Sequence, residues 1–186
     1  MRRAVLTGAL AASAGGLVFW NSSSKLTDAA ERLIQESQIV IRSGTPASDR
    51  AAIALLEQAV AASPDNARAW GLLALTRARA DEHAIDETVS SITEIERAAG
   101  RALALDANNG DARAARAIAI PYYGDWIPAE RRYDEVLARH RNHVVTRDSR
   151  LFFLGAVGRI RESARERLAL ADAAPFDANL HFRYIY

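Results

Sequence analysis

The sequence predicts an all-α fold, and three observations carry that prediction. Alanine supplies 39 of the 186 residues; it has the highest helix propensity, and its small side chain lets helices approach closely. Apolar residues recur at helical spacing in runs separated by short polar breaks. No stretch alternates apolar and polar residues long enough to argue for a strand. Breaks of a few residues join antiparallel neighbours, so the expected architecture is a series of antiparallel helix pairs. Candidate helices span 27–43, 49–63, 67–80, 87–106, 110–122, 126–140, 145–158, 161–174 and 178–186.

Composition narrows the function classes. Lys plus Arg number 24 against 23 Asp plus Glu, which excludes a strongly basic nucleic-acid binder or an acidic tail as the whole of the protein. Cysteine is absent, which excludes disulfides, thiolate catalysis and Cys-ligated metal. A hydrophobic content of 49% is enough to bury a core.

The first 25 residues differ from the rest. Arg2 and Arg3 precede an uncharged run from Ala4 to Trp20, and Asn21 to Ser24 follow as a polar linker. As a helix the run spans about 26 Å, just short of the roughly 30 Å hydrocarbon core of a bilayer. One reading is an export signal with a small-residue Ala12-Ser13-Ala14 site and a degenerate twin-arginine start. The other is a retained single anchor, with Phe19 and Trp20 at the far interface. Either reading makes residues 4–20 the membrane contact and puts residues 26–186, the helical domain, on the far side from Arg2-Arg3.

Within 26–186 the breaks repeat. Ser63-Pro64-Asp65-Asn66, the stretch from Asp106 to Asp111, Arg141-Asn142-His143 and Ala174-Pro175-Phe176-Asp177 each end one helix and start the next. Measured between Pro64, Ala107, Arg141 and Pro175, the steps are 43, 34 and 34 residues; the longer step places an insertion in 81–91. Individual positions fit a helix–turn–helix unit. Trp70 and Leu73 occupy the first helix, with Ala74 where a small residue is needed. In the second helix Ala52, Leu56, Ala59 and Pro64 form one small–large–small–Pro series, and Ala129, Tyr133 and Val136 form another. Small residues permit close crossing, a large one fills the adjacent gap, and Pro stops the helix. Ser163 and Arg167 fall at the small and large positions of the last unit, where apolar residues are expected.

On these residues the array resembles tetratricopeptide repeat (TPR) proteins, whose period is 34 residues. More narrowly, residues 44–75, 96–143 and 158–182 are similar to the repeat domain of membrane-anchored bacterial winged-helix transcriptional regulators. The resemblance implies a right-handed superhelical TPR-like solenoid over 26–186 with an N-terminal apolar helix. It places the chain at the bacterial inner membrane or in the periplasm, with the repeats on the periplasmic side. The array is expected to be C-terminally incomplete, because 175–181 parallels 64–70 and opens a further unit. Self-association through that uncapped end is therefore expected.

Chemical motifs are sparse. His140 and His143 stand three apart but lack a carboxylate at ligand spacing, and the neighbouring Arg139 and Arg141 repel a cation. The 106–111 segment lacks the Gly and Glu positions of a calcium loop. No nucleophile elbow, zinc-protease helix or phosphate-cradling loop occurs. The Tyr122-Tyr123-Gly124-Asp125-Trp126 cluster reads either as an aromatic anchor for a partner or, the favoured reading, as a turn plug, with Asp125 capping and Trp126 filling the gap between helices. No catalytic residue, cofactor or metal is expected, and no direct nucleic-acid contact by this chain.

In TPR arrays the first helices of successive pairs line a concave face that holds peptides. Transferring the groove positions by the resemblance gives Arg68, Leu75 and Arg79, then Asp111, Ile118 and Tyr122, then Asp148 and Phe152. The implied function is a non-catalytic protein- or peptide-binding module with a scaffold or sensor role. The alternative is the sensory part of a winged-helix TPR transcriptional regulator, without the DNA-binding domain in this chain. The family's chaperone-tail clamp needs Lys in the groove, and the single lysine, Lys25, lies outside the array.

Overall fold

The structure, a computed structural model, describes residues 28–83, 91–120 and 125–173. Among these residues the chain is helix and turn, with no strand. Helix α1 covers 28–40 and runs into a 3-10 turn at Ile41–Ser43. Then follow α2 (Pro46–Ala62), α3 (Ala67–His83), α4 (Ile92–Leu105), α5 (Gly110–Ala119), α6 (Trp126–Arg139), α7 (Val144–Ala156) and α8 (Ile160–Ala173). The all-α expectation holds. The expected segment 1–25, the helix at 178–186 and Tyr122 lie outside the described residues, and among the described residues no helix is long and apolar enough to cross a membrane.

The helix starts follow cap chemistry. Helix α2 begins at Pro46, three residues before the expected start, because Thr45 and Ser48 satisfy each other's backbone N–H groups and Pro46 fits the first turn. Ser91 and Glu94 form the same reciprocal cap on α4, which therefore starts at Ile92 rather than 87. Those Ser91 hydrogen bonds hold the Glu94 carboxyl below its ordinary range. Asp125 precedes α6, but its side chain makes no capping hydrogen bond, contrary to expectation.

One turn occurs three times in nearly the same form. The N–H groups of Ser63, Asp106 and His140 donate to the carbonyls of Ala59, Ala102 and Val136, four residues back. Three residues on, the N–H groups of Asn66, Asn109 and His143 donate to the carbonyls of Ser63, Asp106 and His140. The side chains of Asn66, Asn109 and His143 then accept from the N–H groups of Ala69, Ala112 and Thr146, capping α3, α5 and α7. These turns are the breaks whose spacing the sequence displays. The α7–α8 turn differs: Gly158 takes a φ of 85°, which side-chain-bearing residues rarely adopt.

The substantial helix contacts join each of α2 to α8 to the next, and they also join α3 to α5 and α5 to α7. Arg68 of α3 reaches Glu31 and Gln38 of α1. Odd-numbered helices thus touch one another in series. The small–large series pack as expected: Ala52, Leu56 and Ala59 are buried, as are Ala129, Tyr133 and Val136. The gap beside Tyr133 is filled by Phe153, their ring centroids 5.8 Å apart. Trp126 lies beside Phe153, ring centroids 6.5 Å apart, but stays 40% exposed, so it plugs the gap only in part.

The two polar residues at apolar repeat positions are buried as well. Ser163 donates to the Leu151 carbonyl at 2.7 Å, and the Arg167 guanidinium lies 3.4 Å from Asp148. At these two positions hydrogen bonds stand in place of apolar packing.

A candidate binding cleft on the odd-numbered helices

A cleft of about 470 Å³ opens on the odd-numbered helices. Gln38 of α1 and the following Ile41 and Arg42 form one wall. Leu72, Leu75, Thr76 and Arg79 of α3 form the floor, and Asp111 of α5 with Asn142, His143, Val144 and Val145 closes the far side. Three of the groove positions expected from the sequence, Leu75, Arg79 and Asp111, meet here.

The other expected positions do not join them. Arg68 faces α1 and pairs with Glu31, its second oxygen at 3.0 Å. Ile118 is buried in the core. Asp148 is buried against Arg167. Phe152 is 42% exposed but does not line the cleft. Tyr122 is outside the described residues.

His143 is the cleft residue that sequence reasoning missed. Its Nδ1 accepts from the Thr146 N–H at 3.2 Å and lies 2.8 Å from the Thr146 hydroxyl. A nitrogen that accepts a backbone N–H carries no proton, so Nε2 bears the hydrogen and donates to Asp111 Oδ1 at 3.0 Å. One ring thus caps α7 and ties it to α5. The order carboxylate–imidazole–hydroxyl matches that of a hydrolase relay. Thr146, however, is fully buried, and its hydroxyl has no access to a substrate. The signal was available: His143 stands where Asn66 and Asn109 stand in the preceding turns.

His140 and His143 do not share a helix face; His140 ends α6, with its ring against Gly110, and His143 starts α7. Among the described residues no group of three or more His, Asp and Glu could hold a metal ion.

Arg79 is half-buried at the cleft floor. Its positive charge acts on Asp49 of α2, whose carboxyl burial pushes up while Arg79 and Arg50 pull it down. The cleft therefore combines apolar side chains, a guanidinium on α3, a second one at Arg42 and the His143–Asp111 hydrogen bond. Such a surface supplies shape, apolar area and hydrogen-bond donors to a ligand. No protein-family model matches this chain, and no curated protein matches it.

Proposed function

We propose that this chain is a non-catalytic helical-repeat module that binds a segment of another protein in the cleft of the odd-numbered helices. On this reading residues 26–186 are a right-handed superhelical array of the TPR type, and 1–25 export it or anchor it at a bacterial inner membrane. The observation that carries the reading is the convergence of Leu75, Arg79 and Asp111, from two successive first helices, on one cleft. The thrice-repeated turn supports the array, because identical turns at 43 and 34 residues stack equivalent helix pairs. The uncharged run 4–20 behind Arg2-Arg3 supports the location.

A peptide in an extended or helical form would lay apolar side chains on Leu72, Val144 and Val145 and polar groups against Arg79 and Arg42. The test is selection of a peptide from a displayed random library, followed by titration of that peptide into the full chain. Arg79→Glu and Val144→Asp are each expected to weaken binding by about tenfold or more, with helical circular dichroism retained. Failure to enrich any peptide, or unchanged affinity in both variants, refutes the cleft as the binding face.

A further inference from the structure

A second pocket, of about 200 Å³, lies between α4, α5 and α6. It shares only α5 with the cleft, and through other residues of that helix. Four arginines reach it: Arg113 and Arg116 from α5, Arg132 and Arg139 from α6. Chain positions so far apart, with acids between them, give no basic stripe in the sequence; folding brings them together.

Their partners decide the electrostatics. Arg116 is neutralised by Glu96, with Nε 2.9 Å from a carboxylate oxygen. Among the described residues the other three donate only to carbonyls: Arg113 to Ala107 at 2.7 Å, Arg132 to Ile120 at 3.1 Å and Arg139 to Glu135 at 3.4 Å. Carbonyls satisfy donors but leave the charge uncompensated. In addition, Nε of both Arg113 and Arg132 is buried without a hydrogen-bond partner. Among the described residues the only carboxylate lining the pocket is Glu135. Three uncompensated guanidiniums against one acid leave two positive charges around an apolar floor of Leu103, Ala117 and Val136.

We propose that this pocket is an anion site for a phosphate monoester carried on a small apolar group. A monoester brings −1.5 to −2 charges at pH 7, which matches the excess. Its oxygens suit the planar guanidinium fork, and the floor takes the carrier. The volume is below the roughly 300–1,000 Å³ of sites for drug-sized ligands, so the carrier is no larger than a single ring or a short chain. This inference stands apart from the peptide cleft: variants there leave it unchanged.

Titration calorimetry of the full chain with phenyl phosphate at low salt tests it. Saturable binding to the wild type is expected, with no saturation by uncharged benzyl alcohol. Arg132→Gln and Arg139→Gln should each weaken binding by about tenfold or more. Arg139 is exposed, so its variant keeps the fold even if loss of the Arg132–Ile120 bond does not. Glu135→Gln removes the only like charge and should tighten binding about threefold, a gain that a structural defect cannot mimic. Arg101→Gln, at a surface pair with Asp65 outside the pocket, and Arg79→Glu should change nothing. A phosphotyrosyl tripeptide that binds as tightly as phenyl phosphate assigns the ester to a protein side chain; one that binds tenfold weaker assigns it to a free metabolite-sized ester. Absence of saturation by phenyl phosphate, or equal affinity in the Arg139→Gln and Glu135→Gln variants, overturns the proposal.

Discussion

Helices α2–α5 and α6–α8 share the turn that joins α2 to α3, α4 to α5 and α6 to α7, but they fill the space between helices with different chemistry. In α2–α5 the tightest positions are alanines: Ala52, Ala59, Ala69, Ala74, Ala98, Ala99, Ala102, Ala112 and Ala115 are all fully buried. Backbones approach closely there, and each side chain contributes little area. In α6–α8 the interior is aromatic and ionic. Tyr133 packs against Phe153 with the rings tilted, Arg167 meets Asp148, and Arg150, largely buried, spans Asp134 at 2.9 Å, Glu166 at 3.2 Å and Glu130 at 3.6 Å. Glu130 also holds Arg159, and with Glu162 it pushes that guanidinium's pKa up. The helices are thus joined through the same turn over either filling. The fillings differ in what disturbs them: the alanine half responds to added volume, the ionic half to loss of a partner.

The largest test contrasts Tyr133 and Leu56, which occupy the same repeat position. Tyr133→Ala should cost about 4 kcal/mol and Leu56→Ala about 3 kcal/mol by urea unfolding. A Leu56→Ala cost above that of Tyr133→Ala would break the contrast in filling. Next comes the buried pair. Asp148→Ala leaves Arg167 uncompensated and should cost about 3 kcal/mol, whereas the double change Asp148→Leu/Arg167→Met should be near neutral. A double variant as unstable as the single one would show that the ionic filling cannot be exchanged for an apolar one.

Added volume is the corresponding probe of the alanine half. A Cβ on Gly71 would stand 2.3 Å from Asn109 Oδ1. Asn109 caps α5 with that oxygen and donates to the Ala67 carbonyl at 2.9 Å. Gly71→Ala should therefore cost about 1–3 kcal/mol through loss of the cap and its bond, read as a lower midpoint of thermal unfolding. Gly155→Ala in α7 has open space at its Cβ and should be neutral or slightly stabilising.

The smallest effect is in pH dependence. Burial raises the Asp49 carboxyl above its ordinary 3.8, with Arg79 and Arg50 opposing. The folded chain then holds this proton more tightly than the unfolded chain. Its contribution is full below pH 3.8 and is lost as the pH rises through the higher folded value. Relative to Asp49→Asn, the wild type should gain stability as the pH is lowered from 7 towards 3, measured by urea midpoints at each pH.

What was legible in the sequence follows from what is local. Turns are written in short polar segments, so Pro64, Ala107 and Arg141 marked them and their spacing gave the repeat. Caps that reach back across a proline, as Thr45 does, were overlooked, and α2 was expected to start too late. Of the register positions, Leu75, Arg79 and Asp111 line the cleft, Leu75 from a buried position. Asp148, another register position, lies instead against Arg167, an interior partner 19 residues away. Tertiary pairing of that kind leaves no periodic signal. The arginine pocket was invisible for the same reason, as its charge comes from which acids the arginines do not reach.

Because the substantial contacts run from each of α2–α8 to its neighbour, with α3 and α5 also reaching the next odd helix, order can spread along the chain without first closing a long loop. Assembly is expected to nucleate among α3, α4 and α5 and to propagate outward, and amide hydrogens should exchange more slowly there than in α8. A molecule built this way comes apart from its extremities by degrees.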